Sequence, residues 1–582
     1  MAVEDLGLRY WTGRRLSRRK VLVTAATGSA AIAAIGLVGC SSDSDDNGNG
    51  GSSNGNTTPT VNDGYQDGPA KPGGILRVRQ NPALPSMNVF GPGIFSLAQQ
   101  LYLGFTVYDH LWYTPTDTGV RELFLATGIE QPDDLTVIAT MGEATFHPME
   151  PANGRAVEAE DVVQSILRFR QEAGIGYSWL HEILETIEAT DARTVKYVQN
   201  RPWAWFFTSS NAGSPISSSI LPREVLGDDF AEWRNTNAIG SGHWMLDSHE
   251  NGANIKLRRH PSFRTFQNGR DITGQPYLNG IDFVFIQDND VALSAFRAGE
   301  TDIGSFTTRQ QLEDMKNEFG DRVAVGEDLG RDYLCFMMRY DPPFTDKRVR
   351  QGFNLLLNRD DMIALIEEGD AVKCGPVPPA HKRYALPEDD PAMQEYYRHD
   401  VADGRAMLEA AGFDFDQEFT IRHSDRPTDA DLARVIQSQL GEGGVKIKLE
   451  QQPLVTWFSQ TLNQSDFQLT CFNHLAYEDP DLPLRFYVGE GDIQNFMKYS
   501  EPKVNDAILA AASELDEEAR VQKTYEAQKV VMSEYAPMFN ILSNIGFAGR
   551  YSYVKGGITG RGSYGAFNRT TWLDDESRRS ET

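Results

Sequence analysis

From Gly73 onward the chain alternates short apolar runs with stretches of helical periodicity and has no short internal repeat, which confines it to a mixed α/β fold. Ile75-Leu76-Arg77-Val78 and Ile281-Asp282-Phe283-Val284-Phe285-Ile286 read as strands, and Val445-Lys446-Ile447-Lys448-Leu449-Glu450 alternates as a half-buried strand should. Val157 to Phe169 reads as a helix. Val162, Val163, Ile166, Leu167 and Phe169 share one broad face, and Glu158, Glu160 and Asp161 occupy the first turn, where carboxylates suit the helix dipole. Asp346 to Ile366 carries Val349, Phe353, Leu356 and Leu357 at helical spacing. Ala402 to Ala411 is a short helix closed by Gly412, and Glu517 to Tyr535 is another, stopped by Pro537. With 582 residues and 40% apolar content the chain buries a large core, but it is too long for one compact domain and suits two or three lobes.

The first forty residues are built differently. Arg9, Arg14, Arg15, Arg18, Arg19 and Lys20 face only Glu4 and Asp5, an uncharged stretch from Val21 to Val38 follows, and Leu37-Val38-Gly39-Cys40 closes it. A basic region, an apolar region and a small-residue junction make an export signal over 1–39. Ser17-Arg18-Arg19-Lys20-Val21-Leu22 resembles the twin-arginine signal for folded cargo, with Val21 where that pattern favours Phe. Leu37-Val38-Gly39-Cys40 resembles a lipobox, which implies a lipid on Cys40. A single membrane-spanning helix is the competing reading. Thr24, Thr27, Ser29 and several glycines leave the stretch only mildly apolar, and a span wants about 20 residues. Residues 40–70 are then a lipidated cysteine and a tether, since Ser41 to Gly51 and its continuation lack apolar residues that would order them. Either reading places the rest outside the cytoplasm, in the periplasm or at the cell surface.

A net charge of −27 excludes nucleic acid as a natural partner, because phosphate binding relies on clustered Lys and Arg. Cys335, Cys374 and Cys471 remain beside Cys40, without a Cys-x-x-Cys pair, so no disulfide framework is expected. No Gly-x-Ser-x-Gly elbow stands between a strand and a helix, and there is no Gly-x-x-x-x-Gly-Lys-Ser/Thr loop. His181-Glu182-Ile183-Leu184-Glu185 lacks the second histidine of a zinc helix. No catalytic residue, metal site or cofactor is therefore assigned.

The order of segments carries a resemblance. Gly73 to Val78, Val107-Tyr108-Asp109-His110-Leu111-Trp112 and Phe146-His147-Pro148 through Asn153-Gly154-Arg155 to Ser165 come first. Gly240-Ser241-Gly242-His243-Trp244, Ala298-Gly299-Glu300-Thr301-Asp302-Ile303 and Pro342-Pro343-Phe344-Thr345-Asp346 through Arg350 to Gly352 follow. Gly375-Pro376-Val377-Pro378-Pro379 and Ala406 to Phe413 complete the series. In this order they resemble the extracellular solute-binding proteins of oligopeptide, dipeptide and nickel importers, family 5, over nearly all of residues 73 to 560. The resemblance implies a periplasmic-binding-protein-like α/β fold (type II, cluster C), with two main lobes joined by a hinge and a third lobe inserted. Lobe I would take 71–105, 238–315 and, with the C-terminal tail, 540–582, lobe II 106–237 and lobe III 316–539. It also implies a monomer that closes on a small solute, peptide or peptide-like, and delivers it to the permease of an ABC importer. An exported enzyme and a sensor or surface lipoprotein on the same fold are the alternatives.

Within the family blocks, Asp161 is expected to serve its helix's first turn, Gly240 and Gly242 to supply turn dihedrals, and Arg350 to make a packing ion pair. The ligand-binding candidates are Phe95, Tyr333, Trp457, Phe472, His474 and Tyr477, with Phe472-Asn473-His474-Leu475-Ala476-Tyr477-Glu478-Asp479-Pro480 the richest stretch. Peptide-binding relatives carry, before a similar acidic-Pro pair, an Asp that holds the peptide's amine. Alignment on Asp479-Pro480 puts Ala476 there, which removes the carboxylate a buried ammonium would need.

Overall fold

The computed structural model describes residues 69–81, 86–90, 103–113, 121–171, 178–208, 212, 215–267, 269–475, 480–489, 494–556 and 569–580. The export segment with Arg18 and Arg19, Cys40, the tether as far as residue 68, Phe95 and residues 476–479 lie outside the described residues.

The principal elements of the N-terminal half are β1 (Ile75–Gln80), β2 (Ala126–Glu130), β3 (Thr136–Met141), α1 (Ala159–Gln171), β4 (Leu184–Asp191), β5 (Thr194–Gln199), β6 (Trp244–Glu250), β7 (Asn254–Arg259), β8 (Gly280–Phe285) and β9 (Ile303–Phe306). There follow β10 (Val323–Met338), α2 (Lys347–Leu355), α3 (Arg359–Ile366), β11 (Ala371–Lys373), β12 (Glu418–Ser424), α4 (Pro427–Glu442), β13 (Lys446–Gln452) and β14 (Leu469–Leu475). The last are α5 (Asp481–Arg485), α6 (Pro502–Ala512), α7 (Glu517–Ser533) and β15 (Met538–Tyr551). The mixed α/β expectation holds. Among the described residues no helix is long and apolar enough to cross a membrane.

One sheet runs in the order β13-β12-β14-β10-β15-β9-β1-β8-β7-β6, with β11 added to β15. A second sheet, β2-β3-β5-β4, is antiparallel and lies wholly within the segment between β1 and β6. The strands β10 and β15 are long, 16 and 14 residues. Val323 to Leu329 of β10 pairs with Tyr551 to Ile545 of β15, whereas Tyr333 to Met337 pairs with Ser543 to Met538, and the register slips between Leu329 and Tyr333. The Phe547–Arg550 stretch of β15 continues to β9, and the Asp332–Met338 stretch of β10 to β14. Two strands thus run through both halves of the sheet, and their register breaks where one half gives way to the other.

Side-chain alternation on β10 shows how the second half is layered. Leu334, Phe336 and Met338 enter a core with Phe353, Leu432 and Ile436, while Tyr333, Cys335 and Met337 enter another with Trp457, Phe472 and Tyr487. The first half has its own core, in which Leu76 and Phe283 of the large sheet continue into Val137, Phe169 and Tyr197 of the inserted one. The architecture is two lobes with a third, four-stranded lobe set into the first. The cysteines Cys335, Cys374 and Cys471 are buried and free.

Three local readings change. The pattern over Asp346 to Ile366 is two helices, because Asn358 stops the first and caps the second, accepting from the Asp361 N–H at 3.1 Å. Gln439 of α4 pins that break: its Oε1 accepts from the Asn358 N–H at 3.0 Å and its Nε2 donates to the Asn358 carbonyl at 3.1 Å. Val349, Phe353, Leu356, Leu357 and Met362 all enter one core, so the apolar spacing runs straight through the interruption. Among the described residues the Arg350 guanidinium makes no ion pair. It donates to the carbonyls of Tyr535 (2.6 Å), Phe344 (2.8 Å), Glu534 (2.9 Å) and Thr345 (3.1 Å), tying α2 to the end of α7.

Gly240 and Gly242 are not needed for dihedrals, since neither has a positive φ. They are needed for space. A Cβ on Gly240 would stand 2.0 Å from the Val107 carbonyl oxygen, and one on Gly242 2.4 Å from that of Thr106. The His147 ring bridges the same turn, accepting at Nδ1 from the Gly240 N–H (3.3 Å) with Nε2 3.1 Å from the Gly242 carbonyl. Beside it the Ser241 hydroxyl donates to Asp109 at 2.9 Å, and Arg264 holds the same carboxylate with two bonds of 2.6 and 2.8 Å. Burial opposes ionisation of Asp109, but Arg264 and Ser241 outweigh it and hold the carboxyl below its usual range. Three family blocks far apart in the chain therefore lock one crossing between the first lobe and its insertion. Asp161 does serve its first turn, accepting from the Glu158 N–H at 2.9 Å, and it is also the buried partner of Arg155 at 2.6 Å.

Candidate functional site

The second half of β10 and β14 form an antiparallel ladder in which Tyr333 faces His474 and Cys335 faces Phe472. Side chains on one face of such a pair stand close enough to pack in rows. His474 is 5.3 Å from Tyr333, 5.5 Å from Phe472 and 5.0 Å from Phe486, ring centre to ring centre. Trp457 lies 5.3 Å from Phe472, and its indole N–H donates to the Thr470 hydroxyl at 3.1 Å. Four of the six residues proposed from sequence, Tyr333, Trp457, Phe472 and His474, therefore form one aromatic wall. All are buried, Tyr333 and Trp457 most completely and His474 least, at 8% exposed. Phe95 and Tyr477 lie outside the described residues, as do Ala476, Glu478 and Asp479.

The other face of the same ladder fixes where β14 ends. The Asp429 carboxylate, fully buried at the start of α4, accepts from the Asn473 N–H at 2.8 Å, from Arg426 Nε at 2.9 Å and from the Ser424 hydroxyl. Arg426 also donates to the Asn473 carbonyl at 3.1 Å, and Asn473 Nδ2 reaches Asp332 at 3.3 Å. A carboxylate with this many donors holds its backbone partner in one place. The chain leaves β14 toward residue 476 from that fixed point.

Pro480 and α5 resume the chain beyond that segment, and α5 carries a buried charge beside the wall. The Arg485 guanidinium, 2% exposed, pairs with Asp481 of its own helix at 3.2 Å and with Glu182 of the inserted lobe at 3.2 Å. It lies 4.8 Å from the Trp203 ring centre, also of the inserted lobe. A buried arginine needs such partners, because desolvation of a lone charge costs several kcal/mol. Phe486, the next residue, completes the wall around His474.

A second charged group stands where β10 changes register. Burial, reinforced by the nearby charges of Asp332 and Asp370, pushes the Glu367 carboxyl up to about 7. Arg309 of the first lobe holds Asp370 at 2.7 Å and pairs with Glu327 on β10, so one guanidinium links the two sides of the register break. Among the described residues no group of three or more His, Cys, Asp and Glu side chains is placed to hold a metal ion.

Sequence reasoning missed Arg485, Glu182, Phe486 and Trp203. One signal was present: Arg485 stands inside Leu482-Pro483-Leu484-Arg485-Phe486-Tyr487, and a charge within an apolar run asks for a partner. Nothing local identified Glu182 as that partner, since the two are about 300 residues apart.

Residues 124–495 match the profile of the bacterial extracellular solute-binding proteins, family 5, middle region. The chain is 24% identical over 401 residues to the probable D,D-dipeptide-binding periplasmic protein DdpA of Escherichia coli, covering 68% of this chain and 74% of that protein. Its fold is similar to that of the periplasmic binding protein DppA from Helicobacter pylori in complex with the peptide STSA, with a TM-score of 0.70, 21% identity and coverage of 87% and 99%. It is equally similar to AgaA from A. tumefacien R10 in complex with agropinic acid, with a TM-score of 0.71, 20% identity and coverage of 86% and 99%.

Proposed function

Because the chain belongs to the bacterial extracellular solute-binding proteins, family 5, we propose that it is the lipid-anchored receptor of an ABC importer, closing on a small solute between its two main lobes. The family binds solutes for transporters and is not enzymatic. The observation that carries the reading is the pair of strands β10 and β15: they join the lobes and break register together, beside the aromatic wall and the Arg309 link. Rotation about that break opens or closes the space between the lobes, and a solute that touches both favours the closed form. Micromolar binding needs a net of about −8 kcal/mol, within reach of a small solute enclosed on an aromatic wall with a few polar anchors.

The solute is a peptide or peptide-like compound, and Ala476 directs attention to members of that class without a free amine. The similar proteins named above include one with a peptide and one with agropinic acid, which supports a wide choice of chemistry on one frame. Cys40 carries the lipid, Arg18 and Arg19 route export, the residues to 70 tether the lobes, and the receptor works as a monomer. Two measurements test this. Solutes recovered from the purified protein and added back should raise its unfolding midpoint without being converted, since a ligand of the folded form stabilises it; turnover of the solute rejects the proposal. Cys40→Ala should move the protein from the detergent phase to the aqueous phase on partitioning, and no change would remove the anchor.

A further inference from the structure

The segment Arg201 to Phe206 follows β5 of the inserted lobe. Phe206 turns into that lobe's own core, 5.7 Å from Trp179 and 5.6 Å from Tyr197. Its neighbours face the C-terminal lobe. The Ala204 N–H donates to the carbonyl of Ala512, the last residue of α6, at 2.7 Å. Carbonyls in the last turn of a helix have no donor within it, so a donor from the other lobe satisfies this one. Trp205 meets Tyr384 edge to face at 5.1 Å and the Arg520 guanidinium at 5.1 Å. Arg520 is itself held in place by bonds to the carbonyls of Glu514 (2.9 Å) and Leu515 (3.1 Å). Trp203 lies under Arg485, whose pair with Glu182 crosses the same boundary. Both indoles are 3% exposed.

Each of these contacts is made by protein groups alone, and none lies on β10 or β15. If the lobes turn about the register break, all of them part together. Two tryptophans then meet water, the Ala512 carbonyl loses its donor, and Arg485 loses one of its carboxylates. We propose that Trp203 to Phe206 is a clasp that holds the inserted lobe on the C-terminal lobe and sets the ratio of closed to open receptor. Trp205 and Arg485 then tune the apparent affinity for every solute without touching one, because apparent affinity scales with the fraction of receptor in the binding-competent form. This rests on the receptor reading above.

Hydrogen exchange at the Ala204 amide reads the clasp directly and uses no solute. In the wild type this amide should be protected, yet exchange faster than the amides of β3 and β5, because it is released by lobe opening rather than by unfolding. Trp205→Ala should speed its exchange by about tenfold or more, the size of change that loss of a well-packed Trp gives at an interface, and leave β3 and β5 unchanged. Tyr384→Ala approaches the same contact from the opposite lobe and decides the matter if Trp205→Ala does not fold. The proposal is overturned if Ala204 exchanges together with β3 and β5, or if neither variant changes it. That outcome removes the clasp and leaves solute binding standing, whereas a protected clasp in a protein that no solute stabilises would reject the receptor reading instead.

Discussion

His110 gives the chain a measurable weakness in acid. Its ring is 2% exposed, 4.3 Å from Phe124 and 6.2 Å from both Phe105 and Tyr113, and among the described residues neither ring nitrogen has a hydrogen-bond partner. Burial pulls its pKa down to about 4; the Asp109 charge opposes the shift and Arg264 adds to it. In the unfolded chain the imidazole takes up its proton near pH 6.5. The folded pKa is depressed, so below pH 6.5 the unfolded state binds protons that the folded state refuses. The contribution of His110 is therefore complete above about pH 6.5 and is lost as pH falls toward 4. Integrated from pH 7 to 5, the loss is about 2 kcal/mol. His147, pulled down to about 3 by burial and then by His260, loses a similar amount on the same side. Two such groups remove about 4 kcal/mol from a fold whose total stability is typically 5–15 kcal/mol. His110→Phe keeps the ring in its aromatic nest, breaks no hydrogen bond and cannot titrate. Urea unfolding followed by tryptophan fluorescence at pH 7 and pH 5 should show the variant losing about 2 kcal/mol less than the wild type. An equal loss in both proteins, or a His110 ring resonance that titrates near 6.5 in the folded protein, would refute the reasoning.

Three further perturbations read other parts of the molecule. Glu367 works in the opposite direction: with its folded pKa raised to about 7, the stability it contributes is present at low pH and lost as pH rises through 7. Glu367→Gln should therefore gain about 1–2 kcal/mol on the wild type at pH 8 and nothing at pH 4, read by the same unfolding curves, and equal gains at both values would reject the assignment. Gly240→Ala forces a Cβ to 2.0 Å from the Val107 carbonyl and should cost at least about 3 kcal/mol, whereas Gly128→Ala, with open space around it, should change stability by less than about 0.5 kcal/mol. Asp161→Asn leaves the Arg155 and Glu224 pair without its buried carboxylate and should destabilise by about 2–4 kcal/mol, seen as a lower urea midpoint at unchanged slope.

What was legible in the sequence follows the range of the interactions. The helix over Ala159–Gln171, the strand Gly280–Phe285 and the left-handed cap at Gly412 are set by neighbours within a few residues, and periodicity finds them. The break at Asn358 is imposed by Gln439 from another helix, so the apolar spacing alone could not reveal it. Gly240 looked like a turn glycine because the Val107 backbone that crowds it lies more than 130 residues earlier. Tyr333, Trp457, Phe472 and His474 were identifiable as aromatics near strand ends, but their assembly into one wall depends on the β10–β14 register. The Arg485–Glu182 pair and the Trp205 contact join different lobes, and beyond the apolar run around Arg485 a single sequence carries no local trace of the partners.

The central claim is that this protein encloses a solute and releases it unchanged. Small molecules freed from the denatured protein, identified by mass spectrometry and returned to the refolded receptor, test it most directly. One compound should bind at one per chain, raise the unfolding midpoint, lower the radius of gyration and be recovered intact. A protein that no such compound stabilises or compacts, or one that converts the compound, would contradict the account.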